Sequence, residues 1–194
     1  HEAGRDLTTG IRNIYVGGSA GKLSNDADHN VAIGHASLAN NLKGNNNVAV
    51  GSGALQAQNT SSSTDTNNTG VGFNAGLAVT SGTSNTFIGS EAGLSTTTGA
   101  ESVAVGMQAL RAEDGHGQNT AVGMQALEDL NAGATGNNTA VGHIAGRRMT
   151  SGINNTLIGG SAGSAITDAD FNVAVGYQSL TTNTLGSKSV AIGQ

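Results

Sequence analysis

The sequence predicts an all-β protein, a parallel β-solenoid or β-roll built from 17-residue rungs. A glycine preceded by Val or Ile, with Asn or Ser four residues before it, recurs eleven times, mostly at steps of 17 residues. β-Branched residues close to each glycine are typical of a short strand. A fixed step and a repeated strand together predict one array of stacked rungs over residues 1–194. The repeat glycines are Gly17, Gly34, Gly51, Gly72, Gly89, Gly106, Gly123, Gly142, Gly159, Gly176 and Gly193.

The composition favours thin extended layers over a globule with a large core. Of the 194 residues, 31 are Gly, none is Pro or Cys, and 11% are charged, against roughly 25% in ordinary soluble domains. The net charge of −5 is spread out and leaves no basic stripe, so no nucleic-acid partner is expected. No stretch approaches the roughly 18 apolar residues of a membrane span, so we expect no membrane insertion by this segment.

Each rung is numbered here from its repeat glycine, which is position 0. Position −4 is Asn or Ser, position −3 is Val, Thr or Ile, and position −1 is always Val or Ile. Because strand side chains alternate, positions −3 and −1 share one face, which we expect to fill the interior of the rung. An Asn at a fixed turn position is expected to hydrogen-bond along a ladder of its equivalents. A Gly at position +10 in six of the ten steps predicts a second turn, and hence two short strands per rung.

A second period, of four rungs, is superimposed on the first. Position +4 alternates between two Leu and two Gly, and position −2 is large in one rung of four, at Tyr15, Phe87 and Leu157. A unit of about 70 residues is therefore repeated. Two steps are longer than the others, and their additional residues are expected to form outward loops at 61–66 and near 132–135.

Position −2 predicts that three identical chains share an axis. If positions −3 and −1 fill the rung, position −2 lies on the opposite face, yet no charged residue and no Ser, Thr or Asn occurs there. Small residues would let three backbones approach closely, and the large ones would fill the axis at intervals. The predicted trimer-axis contacts are Tyr15, Phe87, Ala104, Ala140 and Leu157.

The segments Ser102–Gly106 and Ser189–Gly193 read Ser-Val-Ala-Val-Gly and Ser-Val-Ala-Ile-Gly. They resemble the head repeats of trimeric autotransporter adhesins, the YadA-like head family, whose motif is Asn-Ser-Val-Ala-Ile-Gly-x-x-Ala/Ser. They are also similar to repeats of bacteriophage tail fibres, and the resemblance covers the whole chain. It implies a left-handed parallel β-roll of three side-by-side chains, located on a cell or virion surface.

These observations lead to an expected function without catalysis. The chain is expected to be a structural and adhesive piece of a longer extracellular trimeric fibre, an adhesin head or stalk that contacts a host or prey cell-surface receptor or glycan. The first alternative is the receptor-binding segment of a phage or phage-like tail fibre. An alternative from another class is an ice- or polysaccharide-binding solenoid, because Thr recurs at position −3. Those threonines are Thr69, Thr86, Thr120, Thr139 and Thr156.

Motifs typical of catalysis are explained by the repeat. The segments 17–21 and 159–163 fit the G-x-S-x-G pattern of a nucleophile elbow. Sibling rungs place Asn74, Glu91 and Ile144 at the position of that serine. We therefore expect no enzymatic activity and no cofactor.

Two acidic turns have a weak likeness to a calcium loop. The first turn contains Asp26 and Asp28, and the second contains Asp168 and Asp170 at the same place two four-rung units later. Both turns match the opening of a calcium loop but lack its Gly and its terminal Glu. Solvated turn acids are the favoured interpretation, and a bound cation is the alternative. The five histidines share no spacing, so no metal site is expected.

Overall fold

The computed structural model describes residues 1–194 and contains strands and turns but no helix. Eleven three-residue strands form one parallel sheet, sheet A, in which each strand pairs with the strand of the next rung. Sheet A contains β1 (Ile14–Val16), β2 (Val31–Ile33), β4 (Val48–Val50), β6 (Thr69–Val71), β7 (Thr86–Ile88), β8 (Val103–Val105), β9 (Thr120–Val122), β10 (Thr139–Val141), β11 (Thr156–Ile158), β12 (Val173–Val175) and β13 (Val190–Ile192). A parallel β-solenoid with rungs about 17 residues apart is therefore confirmed.

The register of sheet A follows the repeat in every pair. Between β7 and β8, for example, Phe87 lies beside Ala104 and Ile88 beside Val105. Strands in such a sheet are about 4.8 Å apart, so the ten steps extend over roughly 48 Å. No segment forms a helix that could cross a membrane. The left-handed sense of the coil and the trimer remain predictions.

The second strand of each rung is mostly replaced by turns. Only β3 (Gly44–Asn45) and β5 (Thr64–Asp65) pair on the other side of the solenoid. In a typical rung, the positive φ angles of Gln108 and Leu110, 59° and 52°, interrupt the extended backbone. The turns still stack, since the Leu110 N–H donates to the carbonyl of Ala126 in the next rung at 3.0 Å. The expectation of two strands per rung was therefore wrong for most rungs.

The repeat glycine meets two requirements at once. Gly106 has a φ of 131°, a backbone conformation that L side chains rarely adopt. A Cβ at this position would lie 2.5 Å from the carbonyl oxygen of Gly123 in the next rung. Any other residue would therefore be strained and would also push the rungs apart.

The asparagines at position −4 form the predicted ladder inside the solenoid. The backbone N–H of Asn85 donates to Oδ1 of Asn68 at 2.9 Å, and Oδ1 of Asn85 accepts from the N–H of Ser102 at 3.0 Å. Its Nδ2 donates across the rung to the carbonyl of Gly99 at 2.8 Å. Asn suits this buried position because one short side chain supplies both an acceptor and a donor.

The interior of the rung is formed by position −2, and the expected assignment of the two strand faces was wrong. Phe87 and Leu157 have no exposed surface, whereas Ile88 and Ile158, at position −1, are 40% exposed. Alternation along a strand separates two sets of side chains but does not say which set points inward, and both sets here are apolar. The inward set meets the buried Ala and Leu of positions +3 and +4.

Packing inside one chain explains the four-rung period. The Phe87 ring fills the space that Gly76 and Gly93 leave at position +4, since a Cβ on Gly76 would lie 2.7 Å from Cδ2 of Phe87. Leu157 fills the same space beside Gly146 and Gly163, where a Cβ would in each case lie 2.7 Å from one of its methyl carbons. In rungs with Leu at position +4, position −2 is Ala. In the rungs of Gly72 and Gly142 both positions are small. Their space is filled from the two adjacent rungs, by Leu55 and Phe87 in one case and by Leu127 and Leu157 in the other, so the interior stays filled.

Candidate interaction surfaces

The five residues predicted to face a trimer axis lie in the core of their own chain. Phe87, Ala104, Ala140 and Leu157 are fully buried, and Tyr15 is partly buried against the same cluster. Burial also raises the pKa of the Tyr15 hydroxyl. The reason is the reversed strand face, which leaves these side chains without access to a neighbouring molecule. The prediction that these five residues contact a trimer axis was therefore wrong, because they are covered by their own chain.

A different surface, the outer face of sheet A, is apolar and exposed; it is defined here by positions −3, −1 and +1. Position −1 presents Val or Ile in every rung, and Ile33, Ile88 and Ile158 are each 40% exposed. Position +1 adds Phe73, at 55%, and other large exposed side chains. These further residues are Met107, Met124 and Tyr177. The apolar residues of this face are visible in the sequence, but the prediction that positions −3 and −1 point inward assigned two of its three positions to the core.

No charged side chain stands at positions −3 or −1, and charges lie on the adjoining turn. On that turn, Nε2 of Gln108 donates to Oε2 of Glu91 in the preceding rung at 3.0 Å, and Nε2 of Gln125 donates to Oε1 of Gln108 at 3.2 Å. Arg111 adds a contact to Glu91 at 3.2 Å. The hydrogen bond from Gln108 and then the Arg111 guanidinium hold the pKa of the Glu91 carboxyl below its usual range. This polar ladder borders the outer face without interrupting it.

Open cavities lie on the side of the solenoid at or beside the two longer steps. The step from Gly51 to Gly72 forms a cavity of about 400 Å³, here called the insertion cleft. Its lining residues are Asn59, Thr60, Ser61, Ser62, Thr64, Thr80 and Ser81. A second cavity, of about 310 Å³, includes Thr135 of the other long step and the titratable side chains of Glu101 and His116. A third, of about 450 Å³, lies at the last strand.

The predicted outward loops are confirmed in part, and Ala132, at the start of the second one, is buried in the core. Residues 61–63 and 133–135 are exposed, but Thr64–Asp65 forms β5 and Thr66 is buried. The step of 21 residues in the sequence was the only sign of the insertion cleft, and the chemistry of its lining emerged only with the fold.

A buried acid lies below the second cavity. Glu113 has no exposed surface, and its Oε1 accepts from the His116 N–H at 3.1 Å. Its Oε2 and the Oγ1 of Thr96 have no hydrogen-bond partner, and the Nδ1 of His116 lies 3.4 Å from Oε1 of Glu113. Burial raises the pKa of the Glu113 carboxyl above its ordinary value near 4.5, although the N–H and ring of His116 oppose the shift.

The acidic turns use their oxygens to join neighbouring rungs. Asp28 Oδ1 accepts from the Ile11 N–H at 2.7 Å, and Asp170 Oδ1 accepts from the Ile153 N–H at 2.8 Å. Asp26 and Asp168 accept from Thr9 and Ser151 in the same way. These contacts favour the structural interpretation of the turns.

No catalytic arrangement forms around the serines of the G-x-S-x-G segments. Ser19 and Ser161 lie in turns with φ near 60°, and neither hydroxyl makes a hydrogen bond. No three His, Asp or Glu side chains are gathered closely enough to hold a metal ion. The expectation that the chain is not an enzyme stays a prediction.

The fold and its surfaces define a repeat protein of the parallel β-solenoid class, with one continuous outer sheet face and two lateral cavities. Comparison with family models, curated proteins and solved structures finds no significant match.

Proposed function

We propose that this chain is a structural and adhesive segment of an extracellular trimeric fibre, on a cell surface or virion. The observation that carries the proposal is the outer face of sheet A, which presents Val or Ile at position −1 in all eleven rungs. Contiguous exposed apolar surface of this length marks an interaction site. Three copies that bury this face against one another would make a stiff rod, and its polar turns would face a receptor or glycan.

The association is tested by measuring mass with light scattering and native mass spectrometry. A trimer gives three times the 19.0 kDa of one chain. Ile88→Lys and Ile158→Lys place charges on the outer face, where both side chains are already partly exposed, so each chain should fold and the trimer should dissociate. Ala134→Lys, in an exposed loop away from sheet A, is the matched control and should remain trimeric. A wild-type mass of one chain would refute the proposal.

An adhesin and a phage tail fibre share this architecture, so their distinction depends on the partner. An adhesin would attach to host or prey cells, whereas a tail fibre would attach a virion to a bacterial surface. Binding of labelled trimer to animal cells and to bacteria, compared side by side, separates the two.

A second function is favoured by one observation on the same face. Thr69, Thr86 and Thr139, at position −3, are partly exposed on sheet A, where neighbouring equivalents are about 4.8 Å apart. The threonines form two short runs separated by Val103, and such runs suit an ice- or polysaccharide-binding solenoid. That function needs the outer face uncovered, so a monomer with thermal hysteresis would replace the fibre proposal.

A further inference from the structure

The insertion cleft is built by the residues that the 17-residue repeat does not need. The step from Gly51 to Gly72 has 21 residues, and its added segment lies opposite Thr80 and Ser81 of the next rung. In repeat proteins, insertions of this kind map to loops on one face, which is often the face that binds a ligand. The resulting cavity of about 400 Å³ falls within the usual size of small-molecule sites.

Hydrogen bonds fix the segment at both ends. At its start the Asn59 N–H donates to the Thr80 carbonyl at 2.9 Å. At its end the Thr64 N–H donates to the Lys43 carbonyl at 3.3 Å, and Thr66 Oγ1 donates to Asn47 Oδ1 at 2.8 Å. The cleft is therefore formed before any ligand arrives, which lowers the entropy cost of binding.

The lining restricts the class of ligand. All seven lining residues carry a hydroxyl or a carboxamide, and none is charged or apolar. The lining has no cation to hold an anion and no carboxylate to hold a hard metal ion. Its apolar surface comes only from carbon atoms of polar residues, such as the Thr methyl groups, and no hydrophobic side chain takes part. What remains is a neutral molecule with many hydroxyl groups, since each hydroxyl of the lining can both donate and accept.

One hydroxyl group already lacks the partner that a ligand would supply. Thr60 is only 8% exposed, it lines the cleft, and its Oγ1 makes no hydrogen bond. Buried polar atoms are nearly always paired. The Thr60 oxygen has almost no accessible surface, so a ligand in the cleft would pair with it only after the side chain rotates about χ1. The side chains of Asn59, Ser61 and Ser81, by contrast, are exposed, so they can donate to and accept from a ligand directly.

From this geometry we propose that the insertion cleft binds a neutral saccharide, and that Thr60 rotates about χ1 to present its Oγ1 as the buried contact. The inference rests on the proposed adhesive function and names the ligand class and the place of contact. The second cavity differs because Glu101 and His116 bring titratable groups to its wall. The two long steps therefore offer different chemistry on the same rod.

The test is saturation-transfer NMR on the full chain with glucose, galactose, mannose and N-acetylglucosamine. Glucose 6-phosphate and glucuronic acid serve as charged probes. We expect saturation transfer to at least one neutral sugar, and weaker transfer to both charged probes. Thr60→Val keeps the shape and removes the unpaired hydroxyl, so its melting temperature should equal or exceed that of the wild type while sugar affinity falls at least tenfold. Thr135→Val, in the other long step, should bind as the wild type does.

The possible outcomes distinguish failure of the saccharide site from failure of the proposed trimer. Absence of transfer to all four neutral sugars, transfer that Thr60→Val leaves unchanged, or equal binding of the charged probes would each overturn the saccharide site. Mass is measured on the same samples. A trimer without sugar binding overturns the cleft alone, whereas a monomer that binds sugar through Thr60 overturns the trimer and leaves the cleft standing.

Discussion

Replacing Phe87 by Ala tests whether the largest buried side chain belongs to the core of its own chain. The side chain has no exposed surface and fills the space beside Gly76 and Gly93. Truncation of a buried Phe to Ala typically costs about 3–5 kcal/mol. The upper part of that range is expected, because two stacked glycines offer no side chain that could move into the cavity.

A second substitution restores the packing by copying a sibling rung. In the next rung position −2 is Ala104 and position +4 is Leu110, whose φ is 52°. Gly93, at the equivalent of Leu110, has a φ of 59°, so a Leu there adopts a backbone conformation that its sibling already has. Phe87→Ala with Gly93→Leu should recover about 1.5–3 kcal/mol, the value of burying a Leu. Gly93→Leu alone should destabilise, since its Cβ would collide with the Phe87 ring.

Urea denaturation followed by circular dichroism gives the four free energies of this double-mutant cycle. Each variant is measured at two protein concentrations tenfold apart. Contact with a second chain would make the loss in Phe87→Ala depend on concentration. A loss below about 1 kcal/mol, or a loss that grows on dilution while Gly93→Leu restores nothing, would refute the core assignment.

Three further predictions concern single residues. Because the folded-state pKa of Glu113 is raised, the stability that this carboxyl contributes is full below the unfolded value near 4.5 and is lost as pH rises through the folded value. Glu113→Gln should therefore have a higher melting temperature than the wild type at pH 8 but not at pH 4. The same difference in melting temperature at both pH values, measured by scanning fluorimetry, would contradict this. Ser102→Asn should raise the free energy of unfolding in urea by about 0.5–1.5 kcal/mol, because the new Nδ2 would donate to the carbonyl of His116 as Asn85 donates to that of Gly99. An unchanged urea midpoint would contradict a stabilising role of the Asn ladder. Gly106→Ala should lower the free energy of unfolding by about 1–3 kcal/mol or more, because of its positive φ and the nearby carbonyl of the next rung. An unchanged free energy of unfolding would contradict the close approach of the two backbones.

The stacking and its register were readable from the sequence because they depend on spacing alone. Once β-branched residues and a glycine recur every 17 residues, neighbouring rungs can pair only with equivalent residues side by side, as Phe87 does with Ala104. The Asn ladder was predictable for the same reason, since a short amide at a fixed turn can meet only its own equivalents. Spacing fixes which residues are neighbours along the solenoid axis.

The sequence did not show which side chains of the strand point into the rung, because spacing does not determine it. The set at positions −3 and −1 has the larger residues, and size suggested a core. The turn after the strand decides otherwise. Positive φ angles at positions +2 and +4, as at Gln108 and Leu110, bring Ala109 and Leu110 into the interior, where little space remains beyond that for Ala at position −2. Large residues at position −2 occur only in rungs with glycine at position +4, and that pairing identifies the inner face.

The outward β-branched row stabilises the stack even before any partner is considered. In the last strand, which has one neighbour, Val190 and Ile192 are 70% and 78% exposed, whereas Ile88 and Ile158 between two neighbours are 40% exposed. Contact along the row therefore covers a large part of each side chain, in the manner of side-chain pairs across strands. The remaining exposed fraction forms an uninterrupted strip along roughly 48 Å at the usual strand spacing. A monomer would leave this strip in water on every rung, so the strip, rather than the buried position −2, is where a second and third chain would contribute to stability.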